Sequence, residues 1–204
     1  MRHFLGIAWL AGGMALGGLS ARADEVTPAN PFMGETEVSG VYALEGGFEV
    51  NAGNHVVWQV LTDYDDLPHF VPSVRSSIAW KLADGGLLVV QDFEGKALIF
   101  TRDMRVRLAV SEQPERGIVF RDTALGDFEV YEGSWQLQPT SRGTKVAYRL
   151  RARLRDAPPD FIARGAFKGS AVQMLGLLRD EIVRRDLASS AVRTKTTQPE
   201  SGTK

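Results

Sequence analysis

The chain has 204 residues, with 24 basic and 25 acidic side chains, three histidines and no cysteine. A net charge of −1 offers no bulk attraction to nucleic acid, and the missing cysteines exclude disulfides and thiolate-bound metals. The length suits one domain with a core of its own.

The chain opens with Met1-Arg2-His3 and continues from Phe4 to Leu19 without a charge, five of those residues being glycine. Ala21-Arg22-Ala23 follows, ahead of Asp24-Glu25. A basic start, a short apolar run and a small-x-small site together predict a secretory signal peptide over residues 1–23. The run falls short of the ~20 residues a membrane span needs. Cleavage after Ala23 and export, most simply to a bacterial periplasm, are the expectation; an uncleaved anchor is the alternative. Loss of Arg2 and Arg22 leaves 22 basic against 25 acidic side chains, a net charge of −3.

Residues 24–35 are polar, carry Pro28 and Pro31, and read as a linker. Val38, Gly40, Tyr42, Leu44, Phe48 and Val50 share one parity, which predicts a single long half-buried strand over 37–51. Residues 53–62 read as a short helix with Val57, Val60 and Leu61 on one side. A second helical turn is broken by Pro68, and a strand begins at Pro72. Further strands are expected at about 72–82, 86–97, 98–111, 116–125, 127–139 and 143–155. Asp84-Gly85-Gly86, Pro114 to Gly117, Gly126-Asp127 and Ser141-Arg142-Gly143 supply the turns between them. Little turn chemistry marks the break near residue 97.

The last strand alternates cleanly. Val146, Tyr148, Leu150, Ala152 and Leu154 face one way; Lys145, Arg149, Arg151, Arg153 and Arg155 face the other. This predicts a sheet with one dry and one wet face. Pro158, Pro159 and the flanking acids then suit a first helical turn. The helix they begin runs to about Leu187 and must bury its apolar stripe on the dry face. Residues 188–204 lack apolar periodicity and read as a disordered tail.

Three segments carry a family resemblance. They are Trp58-Gln59-Val60-Leu61-Thr62-Asp63-Tyr64 through Pro68 and Val71-Pro72, then Glu132-Gly133-Ser134-Trp135-Gln136-Leu137, then the glycine-bearing final helix. Together with the element order they resemble the START-like superfamily, in its polyketide cyclase/dehydrase and coenzyme Q-binding branch, over roughly residues 36–187. The resemblance implies an α+β helix-grip fold. A curved antiparallel sheet of about seven strands would wrap a long C-terminal helix, with two short helices after the first strand. It also implies a pocket for apolar molecules.

In the final helix, Phe161, Gly165, Gly169, Val172 and Gly176 fall within a narrow stripe at 100° per residue. Glycine costs ~1 kcal/mol relative to alanine in a helix interior, so three on one face need a reason. Close packing on the sheet is one reading; a ligand cavity left by the missing side chains is the other. Tyr42, Trp58, Phe70, Met104, Phe120, Trp135, Tyr148 and Phe161 are candidate lining, with ordinary core as the competing reading. Buried Tyr and Trp seek hydrogen-bond partners, which singles out Tyr148 and Tyr42 for orienting a ligand carbonyl or hydroxyl. Arg149, Arg151, Arg153 and Arg155, extended by Arg105 and Arg107, form either a solvated face paired with Glu45, Glu49 and Glu132 or a transient contact with a membrane surface.

Asp63, Asp65 and Asp66 lack the spacing, central glycine and closing glutamate of a calcium loop, and read as acids at a helix start. There is no HExxH, no GxSxG, and no phosphate-binding glycine loop. No metal and no cofactor are expected. The function expected is an exported binding protein or carrier for a hydrophobic small molecule or lipid, with a quinone as one candidate. The alternative is a polyketide cyclase/dehydrase-like enzyme using the same cavity, with His69, Tyr148 or Asp122 in acid/base roles.

Overall fold

The computed structural model describes residues 31–38, 40–97, 100–156 and 159–196. The expected leader at 1–23, most of the expected linker and residues 197–204 lie outside the described residues.

Eight antiparallel strands form one sheet: β1 (Phe32–Val38), β2 (Val41–Val50), β3 (Val74–Lys81), β4 (Leu87–Ala97), β5 (Phe100–Gln113), β6 (Gly117–Asp122), β7 (Phe128–Thr140) and β8 (Gly143–Leu154). Their order across the sheet is β1-β2-β8-β7-β6-β5-β4-β3. After β2 come helix α1 (Asn54–Leu61), a 3-10 turn (Tyr64–Asp66) and helix α2 (Leu67–Phe70). Helix α3 (Asp160–Thr196) closes the chain. This is the helix-grip arrangement, with one strand more than the sequence leads one to expect.

The extra strand arises at Gly40. Its φ of +74° turns the chain back on itself, a conformation glycine adopts without the Cβ clash other residues meet. Val38 and Val41 then pair directly, and β1 runs back along β2 to Phe32 opposite Gly47. The predicted strand over 37–51 is therefore a hairpin, because period-two alternation carries through so tight a turn unbroken. Residues 32–35, which composition assigns to a linker, belong to β1. At the other end, residues 188–196 continue α3 instead of forming a tail; alanine, arginine and lysine there sustain helix without an apolar stripe.

Helix α1 buries Val57, Val60 and Leu61, the side the sequence assigns to the core. Pro68 sits in the first turn of α2, where its missing N–H leaves no bond unmade. Helix α3 packs on β2 and on β4, which stand second and seventh in the sheet. Contact with both requires the sheet to curl around the helix. Phe48, Phe128, Leu44, Leu175 and Ile182 are fully buried between the layers.

Gly143 has a φ of +131° at the turn from β7 to β8, and a Cβ there would collide with the Val50 carbonyl oxygen. Gly143→Ala is expected to lower the unfolding free energy by about 1–3 kcal/mol. Urea denaturation followed by tryptophan fluorescence measures it, and an unchanged midpoint would contradict this account of the turn.

Candidate functional site

A cavity of about 630 Å³ lies between the dry face of the sheet and the first half of α3. That volume falls in the range of small-molecule sites, roughly 300–1,000 Å³. Three groups of side chains build the apolar wall. Strands β4 and β5 give Phe93 and Met104; β7 and β8 give Phe128, Tyr131, Tyr148, Leu150 and Leu154; α3 gives Ala163, Ala166, Phe167, Ala171 and Met174. Val71 enters from the segment joining α2 to β3, and Val74 from the first position of β3. The charged members of the lining are Glu94, Arg102 and Asp156. They come from the β4–β5 hairpin and the connection from β8 to α3.

The alternation of β8 is read off directly in this wall. Tyr148 and Leu150 point inward as expected. Strand β7 is different: its pairing with β8 shifts register between Phe128 and Val130. A bulge of this kind places an extra residue in one strand. Residues Phe128 and Tyr131, of opposite parity, therefore share the inner face. The Phe128 and Tyr131 ring centroids lie 4.7 Å apart, with Phe93 6.2 Å from each. A continuous aromatic wall results.

On α3 the inward stripe is Ala163, Phe167, Ala171, Leu175, Leu178 and Ile182, at the 3.6-residue spacing of one helix face. Apart from Phe167, its early members are small. Ala163, Ala166, Ser170 and Ala171 leave the space that larger side chains would fill, while Leu175, Leu178 and Ile182 fill theirs.

The predicted glycine stripe is not this face. A Cβ on Gly165 or Gly169 would meet nothing within 4 Å, and one on Gly176 would meet Pro31. Gly165 and Gly169 are exposed, about half a turn away from Ala163 and Ala171. Val172 packs on the core without bordering the cavity. The side chain of Phe161 lies outside the described residues.

Of the other predicted lining, Met104 and Tyr148 border the cavity. Tyr42 backs it, its ring 5.3 Å from that of Phe167. Trp135 packs on Tyr148, the rings tilted by 36° with centroids 4.3 Å apart, and so backs the tyrosine ring. Phe120 lies over Gly133, where an added Cβ would strike its ring. Trp58 and Phe70 pack against the core at the short helices, and Phe70 carries the Arg185 guanidinium 5.5 Å above its ring. These five are core neighbours of the site, for burial and aromatic character alone do not separate a wall from its backing.

The acid/base candidates separate as well. His69 is largely exposed and paired with Asp66 at 2.7 Å. Asp122 is buried, and its carboxylate accepts backbone N–H bonds from Arg107, Ala124 and Leu125 at 2.8–3.1 Å. Neither borders the cavity. Asp122 holds the turn after β6. Tyr148 alone of the three faces the site.

Burial pushes the Tyr148 phenol well above its ordinary range, with a smaller contribution from Tyr131. Tyr131 is pushed up to about 12 by burial and then by the charge of Asp122. Both phenols are therefore protonated donors across the physiological range.

Outside the cavity, the arginine row is matched by acids. Arg149 meets Glu45 at 3.2 Å, Arg151 meets Glu132 at 2.6 Å, and Arg153 meets Glu129 at 3.0 Å. Arg155 donates to the carbonyls of Leu125 and Gly126. Arg105 meets Asp92 at 2.5 Å. The cross-strand pairing expected for Glu45 and Glu132 is present, and Glu49 pairs with Arg142 instead, at 3.0 Å.

Sheet, helix and hollow define a helix-grip domain built around an apolar cavity. The profile of the family described as polyketide cyclase / dehydrase and lipid transport matches residues 50–177, and this chain belongs to that family. Its fold is similar to that of the Zhui aromatase/cyclase from Streptomyces sp. R1128, at 17% identity and a TM-score of 0.59, covering 71% of this chain and 95% of that one. A STAR-related lipid transfer protein fragment from Xanthomonas axonopodis is similar at 17% identity and a TM-score of 0.54, covering 75% of this chain and 98% of that one. Human STARD10 is similar at 9% identity and a TM-score of 0.58, covering 79% and 78%. Likeness at these identities is likeness of fold. No match was found among curated proteins.

Proposed function

We propose that this chain is an exported binding protein for a hydrophobic small molecule or lipid, held between the sheet and α3. The observation that carries the reading is the cavity of about 630 Å³ with its largely apolar wall. Its lining forgoes packing contacts that a solid core would make, and an apolar guest restores them. Transfer of the guest from water contributes about 25 cal/mol per Å² of apolar surface covered. The family's printed description includes lipid transport, which agrees with this reading. A quinone is one ligand of the right character. Export rests on the leader-like residues 1–23.

The cyclase/dehydrase reading finds less support, since His69 and Asp122 stand away from the cavity and the phenols that border it are weak acids. One experiment tests both parts of the proposal. The full chain is expressed in a bacterium and recovered from the periplasm for native mass spectrometry. The expected result is a polypeptide beginning at Asp24 with a co-purified apolar molecule that leaves on denaturation. Recovery from the cytoplasm at full length would overturn export. Protein that carries no guest and takes up no neutral apolar probe would overturn binding.

A further inference from the structure

We propose that Tyr148 and Tyr131 supply the cavity with phenol donors that select neutral ring compounds bearing a carbonyl-type acceptor, over hydrocarbons and over anionic lipids. The inference rests on the binding reading above and adds to it the chemistry of the guest.

Tyr148 is 4% exposed, and both tyrosines border the cavity. Neither hydroxyl has a hydrogen-bond partner among the described residues. A buried hydroxyl without a partner is costly, and each exception in a native structure calls for an explanation. Tyr64 shows the contrast: its hydroxyl donates to Glu112 at 2.8 Å. The two cavity phenols are also backed by rings, Tyr148 by Trp135 at 4.3 Å and Tyr131 by Phe128 at 4.7 Å. Phenol donors that border a largely apolar space and have no protein acceptor among the described residues suit an acceptor carried by the guest.

The guest's charge follows from the rest of the wall. Along β8 the lining runs from Leu154 through Leu150 to Tyr148, so Tyr148 lies roughly 20 Å along the strand from Leu154 at 3.3 Å per residue, and Asp156 lies beyond the end of the strand. Among the described lining residues the cation is Arg102. It donates to Asp127 at 2.9 Å and to the Asp156 carbonyl at 3.3 Å, and it belongs to the β4–β5 hairpin. An anion beside Tyr148 would be buried without a counter-charge. The acceptor is therefore neutral. Phe93, Phe128 and Tyr131 give it a flat aromatic wall to lie against.

Three probes of one shape test this: fluorenone, fluorene, in which a methylene replaces the carbonyl, and fluorene-9-carboxylate. Affinities are measured by equilibrium dialysis against the purified chain. Fluorenone is expected to bind about tenfold more tightly than fluorene, with the carboxylate weakest. In the Tyr131→Phe/Tyr148→Phe double variant the preference is expected to vanish or reverse, with fluorene affinity kept. The infrared carbonyl stretch of bound fluorenone should lie at lower wavenumber in the wild type than in the double variant. Loss of the two hydroxyls is expected to leave the unfolding midpoint unchanged or raised, whereas Tyr64→Phe lowers it. Fluorene binding as well as fluorenone, or the carboxylate binding best, would overturn the selection by these donors and leave the cavity reading standing. Failure of all three probes would overturn the cavity reading itself.

Discussion

Ala171→Phe is expected to weaken binding of a neutral apolar probe at least tenfold while the protein stays folded. Ala171 is 6% exposed and borders the cavity from the inner face of α3. A phenyl ring there projects into the space the guest would occupy. Inserting bulk into a solid core costs about 1–3 kcal/mol; inserting it into an open cavity restores contacts, so the unfolding midpoint should hold or rise. Titration with N-phenyl-1-naphthylamine, read as fluorescence gain, measures the loss of binding, and a tenfold weakening corresponds to about 1.4 kcal/mol. Gly169→Ala is the matched control. A Cβ at Gly169 meets open space, so that variant should bind the probe normally and gain about 0.5–1 kcal/mol of stability from helix propensity. The opposite pattern, with Gly169→Ala blocking uptake and Ala171→Phe permitting it, would place the hollow on the other side of α3.

The contrast between these positions shows what the sequence makes legible. Strand β8 is read correctly because both its faces alternate without interruption, and Tyr148 falls on the cavity side. Helix α3 is read correctly in kind and wrongly in phase. Its glycines mark a stripe of their own, but burial follows the apolar residues, and Ala163, Phe167 and Ala171 lie on a different side from Gly165 and Gly169. The signal lies in the apolar residues Ala163, Phe167 and Ala171, at the spacing of one helix face, a run that passes into Leu175, Leu178 and Ile182. Tyr131 and Phe128 were hidden for another reason. A bulge near Val130 exchanges the faces of β7; in the sequence it shows only as mixed parity, Phe128 and Val130 on even positions and Tyr131, Trp135 and Leu137 on odd ones, which leaves the inner face of the strand unassigned. The eighth strand was hidden by Gly40, whose turn is too short to break the alternation on either side.

Arg185→Ala is expected to destabilise the protein by about 2–4 kcal/mol, somewhat less than the roughly 3–5 kcal/mol for breaking a fully buried pair, because Asp63 and Asp66 are each more than a third exposed. Arg185 donates to Glu181 at 2.6 Å, Asp63 at 2.7 Å and Asp66 at 3.1 Å. Asp63 and Asp66, read from sequence as acids at a helix start, thus tie the 3-10 turn and α2 to the far end of α3. Removing the guanidinium leaves three carboxylates close together, one of them, Glu181, only 8% exposed. Hydrogen bonds from Arg184 first, and then from Arg185, hold the Glu181 carboxyl down at about 2 against burial that opposes them. A carboxyl lowered in the folded state adds stability above its unfolded value of about 4.5, and that stability is lost as pH falls toward 2. The stability gap between wild type and Glu181→Gln should therefore be widest above pH 4.5 and shrink across that window. Urea titrations at a series of pH values measure the gap. A gap that stayed constant from neutrality to pH 2 would show that Glu181 carries no folded-state shift. Hydrogen exchange adds the local readout: in Arg185→Ala, amides of residues 64–71 should lose protection before those of β7 and β8, because the clamp holds the short helices and the sheet holds itself.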